Sequence, residues 1–354
     1  MERLIDFLRQ AVQMDGSDVF IIPGSPVETK RNGQLTPLSE EKLTPAAAEE
    51  LIGAAYELAG RRADALKENG DDDFSFAIKD LSRFRCNAYR QRGTLAAICR
   101  IVAFGLPDPV KMQIPENVMR LADERSGMIL ITGPAGSGKS TTLACLIDRI
   151  NRTRPGHIIT IEDPIEFLHP HQKSLVSQRE VPNDAPTFAR ALRAAMRQAP
   201  DVLMLGEMRD AETIRTAITA AETGHLVLSS MHTIGAARTI DRIVDAFPAE
   251  QQQQIRLQLS MALCAVVSQR LVPGEDNRPV PVFEAMRVTT AIRTLIRDGY
   301  TYRLDNAISA AAGGEMNTMD AELVRLAERG KINAETAQRY AEFPENVKKR
   351  LFKR

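Results

Sequence analysis

Residues 128–150 read MILITGPAGSGKSTTLACLIDRI, an uninterrupted apolar run, a glycine-rich loop and a stretch with helical spacing. The loop from Gly133 to Ser140 fits the pattern GxxxxGK[ST]. A strand before it and a helix after it are the context in which that pattern cradles phosphate. Gly133, Gly136 and Gly138 let backbone N–H groups turn inward around phosphate oxygens, and the start of the following helix adds the positive end of its dipole. Nucleotide contacts are therefore expected from Gly133, Pro134, Ala135, Gly136, Ser137, Gly138, Lys139, Ser140 and Thr141. Lys139 is expected to reach the β- and γ-phosphates of ATP and Ser140 to ligate Mg²⁺, with Thr141 beginning the helix behind them. A simple glycine turn would leave Lys139 without a purpose.

Working outward, the apolar runs MILIT, HIITI, VLMLG and LVLSS alternate with long helical patterns. That arrangement predicts a parallel sheet covered by helices, an α/β domain. Beyond residue 250 the pattern reads as mostly helical, from QQQQIRLQLSMALCAVVSQRL to the basic tail NVKKRLFKR. Upstream, GLPDPVKMQIPENV carries three prolines in fourteen residues and predicts an extended connector. Before it, Leu4, Ile5, Leu8 and Val12 recur at helical spacing, and a strand is expected from Val19. Asn32-Gly33 signals a tight turn, and Thr44-Pro45 starts a helix through AAAEELIGAAYELA. DDFSFAI, SRFRCNAYR and TLAAICRIV read as three strands, the middle one alternating Phe84, Cys86 and Ala88 with Arg83, Arg85 and Asn87. The expected division is a small α+β domain over 1–105, a linker over 106–117 and an α/β domain over 118–354.

Around the phosphate loop, HIITIEDPIE ends in Glu162, Asp163 and Glu166, with Pro164 stopping the strand. Carboxylates at that end of a strand face the crevice where α/β sheets bind ligands, which suits a water-activating base or a magnesium shell. In DVLMLGEMRD, Gly206 takes the place where many P-loop proteins have a magnesium-binding Asp, leaving Glu207 as the principal acid. In TGHLVLSSMHT, His225 stands at the entry to an apolar strand and His232 just past its end. Both are candidates for sensing the γ-phosphate; the plainer alternative is an imidazole hydrogen-bonded to backbone in a turn. Arg85 and Arg100, on consecutive strands of the first domain, are candidates for neutralising transition-state charge, as are Arg193 in RALRAAMRQ and Arg209 in GEMRD. His169 and His171 in LHPHQ have no third ligand nearby and do not read as a metal pair.

Composition narrows the classes. Across 354 residues, 46 Lys+Arg balance 46 Asp+Glu, so the electrostatic footprint of a general nucleic-acid binder is missing. The longest apolar runs fall far short of the roughly 20 residues that span a bilayer. The opening MERLIDFLRQAVQ includes acids and does not read as a signal peptide. Cys86, Cys99, Cys145 and Cys264 show no CxxC spacing and are expected to be reduced thiols rather than zinc ligands or disulfides.

Taken in order, ITGPAGSGKSTT, ITIEDPIEF, DVLMLGEMRDAETI and TGHLVLSSMHT resemble the Walker A, Asp box, Walker B and His box of the type II/IV secretion ATPases. SQREV, AAETGHL, TIDRIVDAFPAE and AIRTLIRD are similar to the PilT-type pilus retraction ATPases, over most of the chain. The resemblance implies a homo-hexamer of subunits with a PAS-like N-terminal domain and a RecA-like ATPase domain. Such a ring would drive pilus retraction from the cytoplasmic side of the inner membrane. It implies Lys139 and Ser140 on phosphate and Mg²⁺; the acids expected near the metal are Glu207, Glu162 and Asp163. Glu166 and Glu207 become the Asp-box and Walker B glutamates, the latter favoured for orienting water. His225 and His232 form the His-box pair, and Arg85, Arg100, Arg193 and Arg209 the phosphate-contacting arginines. AIRTLIRD at 291–298 resembles the AIRNLIRE element associated with retraction; Ala291, Ile292, Leu295 and Ile296 make one apolar face, which an ordinary packing helix would also show. The expected partner is an inner-membrane platform protein, with membrane association only through partners and no direct nucleic-acid contact. Ala135, Phe20, Ala199 and Thr294 depart from the family's usual Thr, His, acidic and Asn residues. Pilus assembly or type II secretion, and a nucleic-acid translocase, remain the alternatives.

Overall fold

The computed structural model describes residues 1–31, 33–102, 105–276, 278–311 and 315–352, and divides into two units, Met1–Gly105 and Leu106–Arg354. Asn32 of the expected tight turn and the last two residues of the basic tail lie outside the described residues.

In the first unit, α1 (Glu2–Gln13) precedes β1 (Asp18–Ile21), β2 (Glu28–Arg31) and β3 (Gln34–Pro37). Two helices follow, α2 (Pro45–Leu58) and α3 (Asp64–Asn69), then β4 (Asp71–Ile78), β5 (Ser82–Gln91) and β6 (Thr94–Val102). Thr44 sets the start of α2: its hydroxyl accepts the Ala47 N–H at 3.2 Å, and Pro45 fills the first position, where a missing N–H costs nothing. The strands form one antiparallel sheet in the order β3-β2-β1-β6-β5-β4. Phe84, Cys86 and Ala88 of β5 are buried while the intervening residues are partly exposed, as the alternation requires. The unit is α+β.

The second unit runs α4 (Glu116–Met119), β7 (Gly127–Thr132), α5 (Lys139–Thr153), β8 (Gly156–Glu162), β9 (Ser174–Glu180), α6 (Phe188–Ala195), β10 (Val202–Leu205), α7 (Ala211–Glu222) and β11 (Leu226–Met231). It continues through α8 (Ala236–Asp245), α9 (Ala249–Ala262), β12 (Leu263–Pro273), β13 (Pro279–Arg287), α10 (Thr290–Arg297), α11 (Leu304–Ala310), α12 (Met319–Glu328), α13 (Ala334–Tyr340) and α14 (Pro344–Leu351). The sheet order is β13-β12-β7-β11-β10-β8-β9, parallel except where β13 meets β12. β7 is buried throughout because it feeds two cores. Met128 and Leu130 pack with Leu192, Ile218 and Ile255 on one face; Ile129 and Ile131 pack with Leu143 and Ile147 of α5 on the other.

Two expectations change, and one strand was not foreseen. The run CAVVSQRL, read as helical, is most of β12: α9 ends at Ala262, and Leu263 turns to extended backbone. Val266 enters one core and Ala265 and Val267 the other, so the segment lies beside β7 as a strand covered on both faces. SLVSQRE supplies β9 at the edge of the sheet, a strand its polar composition conceals. Residues 106–117, expected as a connector, group with the second unit: Ile114 is buried in the α5 core and the Cys145 thiol donates to the Pro107 carbonyl at 3.3 Å.

One buried acid ties two helices to the β13 edge of the sheet. Glu284 of β13 accepts the Ala236 N–H at 2.9 Å and the Met319 N–H at 3.2 Å, holding the N-termini of α8 and α12 to the sheet. Burial pushes its carboxyl up to about 7.

Candidate nucleotide site

The loop between β7 and α5 stands at the carboxyl end of the parallel strands. Gly138 precedes the helix with φ +89°. Gly133, at φ +145°, leaves no room for a side chain: a Cβ there would come within 2.2 Å of the Gln269 carbonyl oxygen and 2.7 Å of Ser137 Oγ. Gln269, on β12, also braces the helix, because its Oε1 accepts the Thr142 hydroxyl at 2.7 Å. The loop thus rests on a strand whose contribution the sequence did not reveal. Lys139 is buried, and its Nζ donates to the carbonyls of Gly133 and Pro134, each at 2.9 Å. Burial lowers its pKa, opposed by the nearby carboxylates Glu207 and Glu166.

A cavity of about 240 Å³ opens over this loop, lined by Ala135, Gly136, Lys139 and Ser140 on one side and by Asp163, Glu166, Glu207 and His232 on the other. Glu207 is mostly buried and bridges two cations or potential cations: Oε1 lies 2.7 Å from Arg209 Nη2 and Oε2 lies 3.2 Å from His232 Nε2. The turn presenting it is pinned to β11, where the Ser230 hydroxyl donates to the Gly206 carbonyl at 2.6 Å. A Cβ at Gly206 would meet the backbone of β8 at ordinary contact distance, 3.4 Å from Glu162 Cα.

Glu162 behaves differently from its neighbours. Its carboxylate is buried, pushed up to about 7 by that burial, and bound by the Thr160 hydroxyl at 2.6 Å, the Gln178 amide at 3.2 Å and the Glu166 backbone N–H. Three donors therefore hold its oxygens within the chain, while its side chain still lines the cavity beside Asp163 and Glu166. Asp163 and Glu166 are exposed in the cavity. Among the described residues no group of three or more His, Cys, Asp or Glu side chains forms a metal cage. Mg²⁺ typically takes one or two protein oxygens together with phosphates and water, and the Ser140 hydroxyl and Glu207 carboxylate line this cavity.

The two histidines part company. His232 joins Glu207, whereas His225 sits before β11, at the end of the strand away from the phosphate loop. Its Nδ1 lies 3.0 Å from the Ala220 carbonyl and 3.2 Å from Thr223 Oγ1, the turn contact of the plainer alternative. The chain does not bring His225 to its own site. Arg193 is also absent from the cavity: it pairs with Glu212 in the first turn of α7. Arg85 and Arg100 are directly opposed across β5 and β6 in the first unit, and Arg100 Nε is 2.9 Å from Asp18 Oδ1. Thr141 is outside the cavity lining, on α5. His171 accepts the Val176 N–H at 3.1 Å. In α10, Ile292 and Ile296 are buried as expected, while Ala291 is exposed with Arg293 and Arg297.

Sequence reasoning missed Gln178, Glu180, Ser230 and Gln269. Gln178, Glu180 and Ser230 act through side-chain bonds to backbone, and Gln269 through its own carbonyl and the Thr142 hydroxyl, relations with no periodic or motif signal; SQREV, quoted above for its resemblance, contains two of them.

Residues 108–309 match the family model described as type II/IV secretion system protein. The type IV pilus retractation ATPase PilT of Pseudomonas aeruginosa is 39% identical over 344 residues, covering 97% of this chain and 99% of that protein. A twitching motility protein of Neisseria gonorrhoeae is 44% identical over 282 residues, 79% of this chain and 75% of that one. Among solved structures, the pilus retraction motor PilT with bound ADP superposes with a TM-score of 0.89 at 41% identity, covering 98% of both chains.

Proposed function

The chain belongs to the type II/IV secretion ATPase family, and from that premise we propose that it is an Mg²⁺-dependent ATPase that powers retraction of type IV pili as a ring of six copies. The observation that carries this reading is the cavity in which Lys139 and the glycine loop face Glu207, itself held between Arg209 and His232.

The loop's N–H groups and the start of α5 bind the phosphates. Lys139, which here satisfies its ammonium on two loop carbonyls, exchanges those acceptors for β- and γ-phosphate oxygens. Ser140, with Glu207 nearby, would hold Mg²⁺, which would supply charge neutralisation for the phosphates. Glu207 orients the attacking water; Arg209 and His232 fix its two oxygens and stand where charge develops. Glu166, across the cavity, faces the same space. Arg85 and Arg100 of the first unit, Arg193 and His225 serve a γ-phosphate only if brought to it by domain or subunit arrangement. Loss of that phosphate would then alter how the domains are held, converting hydrolysis into rigid-body motion. The ring works at the cytoplasmic face of the inner membrane on a platform protein, without direct nucleic-acid binding.

Phosphate release by the purified chain with Mg²⁺ and ATP tests the chemistry: wild type turns over, and Lys139→Ala loses turnover while keeping the fold. A Lys139→Ala chain with normal turnover overturns the assignment. Deleting the gene tests the direction of force: excess surface pili with lost motility fit retraction, and absence of pili fits assembly.

A further inference from the structure

The residue with the best claim on the water-facing side of the cavity after Glu207 is Glu166, yet the loop that carries it has no regular structure of its own. Residues 163–171 lie between β8 and β9 without helix or strand, and their backbone is held by the edge strand. Gln178 does most of this. Its Nε2 donates to Glu162 Oε1 at 3.2 Å and to the Phe167 carbonyl at 2.9 Å, and its Oε1 accepts the His169 N–H at 2.8 Å. Glu162 in turn accepts the backbone N–H of Glu166. Two residues along, on the same face of β9, Glu180 accepts the Ile165 N–H at 3.1 Å. The bonds bracket Glu166 from both sides: Ile165 and Phe167 are its chain neighbours, and its own N–H is tied to Glu162.

The ladder between β8 and β9 is made by backbone alone and does not call for a polar side chain at 178. A carboxamide is the side chain that offers two donors and an acceptor on one planar centre, which is what Glu162, Phe167 and His169 together require. Building on the ATPase reading above, we propose that Gln178 is a positioning residue for the reaction: it never meets nucleotide, but fixes through Glu162 and the 165–169 backbone where the Glu166 carboxylate stands. Errors of about 1 Å in a reacting geometry cost on the order of 100-fold in rate, so one bridging amide has leverage on turnover.

The test uses the full chain and two variants. Gln178→Met keeps the volume without hydrogen bonds. Gln178→Glu keeps the shape and the acceptor for His169, but turns an oxygen toward Glu162 and the Phe167 carbonyl. Both are expected to lower kcat about 10- to 100-fold with the KM for MgATP within about two-fold, since no phosphate-loop contact is touched. In a Glu166→Ala background, Gln178→Met should cost little more, because the residue it positions is gone. Wild-type kcat in both variants, KM rising in step with the kcat loss, or a full additional loss in the Glu166→Ala background overturns the proposal. Should Gln178→Glu misfold, as thermal unfolding would reveal, Gln178→Met carries the test alone. An inactive wild-type chain removes the ATPase reading and this proposal with it; an active wild type with indifferent Gln178 variants removes only the proposal.

Discussion

Replacing Gly133 or Gly136 with Ala adds the same methyl group to the same loop, and the structure separates the outcomes. At Gly136, with φ +75°, no atom lies within 4 Å of the added Cβ, so the cost is the backbone strain alone, about 1–2 kcal/mol. At Gly133, with φ +145°, the strain is joined by a clash: the Cβ would stand 2.2 Å from the Gln269 carbonyl oxygen and 3.2 Å from its carbon. That carbonyl belongs to β12, fixed between β13 and β7, and cannot swing aside as a flexible side chain would. Overpacking of this kind adds about 1–3 kcal/mol, for a total of about 2–5 kcal/mol. For a domain of this size each kcal/mol shifts Tm by about 2–4 °C, so Gly133→Ala should melt roughly 2–12 °C below Gly136→Ala. Thermal unfolding without nucleotide measures it. The Gly133 carbonyl also accepts from Lys139, so the larger loss should be accompanied by weaker MgATP binding. Equal melting temperatures, or a lower one for Gly136→Ala, would refute the claim that β12 fixes the shape of the phosphate loop.

Glu207→Gln should retain bound nucleotide and lose about 10²- to 10³-fold in turnover; unchanged steady-state hydrolysis would move the water-orienting role to Glu166. His225→Ala should leave MgATP affinity within about two-fold in equilibrium binding, because its ring bonds to Ala220 and Thr223 at the strand end away from the phosphates, about 20 Å along β11. A tenfold loss of affinity would place it in a site. Glu284 supplies a pH test. Its folded-state carboxyl is raised to about 7 from an ordinary 4.5, so the folded chain holds a proton there that the unfolded chain releases. The corresponding stability is complete below about 4.5 and is lost as pH rises toward 7, on the order of 3 kcal/mol. Against Glu284→Gln, which does not titrate, wild type should therefore lose relative stability between pH 5 and pH 8 in denaturant unfolding; a gap constant with pH would contradict it.

The phosphate loop was legible because its chemistry is local: the donors proposed for phosphate are backbone N–H groups of consecutive residues, so the pattern and the proposed site coincide. The parallel strands β7, β8, β10 and β11 were legible from apolar runs separated by helical spacing. CAVVSQRL was not, since a short apolar segment covered on both faces has no period that distinguishes strand from helix. Cys86 and Cys99, expected as reduced thiols, are free and face each other across β5 and β6 with their sulfurs 3.2 Å apart; spacing of thirteen residues carries no sign of that pairing.

By itself, then, the sequence determined the class of fold, the phosphate-binding loop and the set of acids, histidines and arginines from which a site had to be drawn. Tertiary structure decided which of them meet. Two histidines seven residues apart ended at opposite ends of one strand because six extended residues lie between them, and Glu162 and Glu166, four apart, became a buried brace and an exposed carboxylate lining the cavity. The reason is physical: whether a carboxylate is free to act depends on the donors around it, and for Glu162 one of those donors comes from Gln178, sixteen residues away on a neighbouring strand.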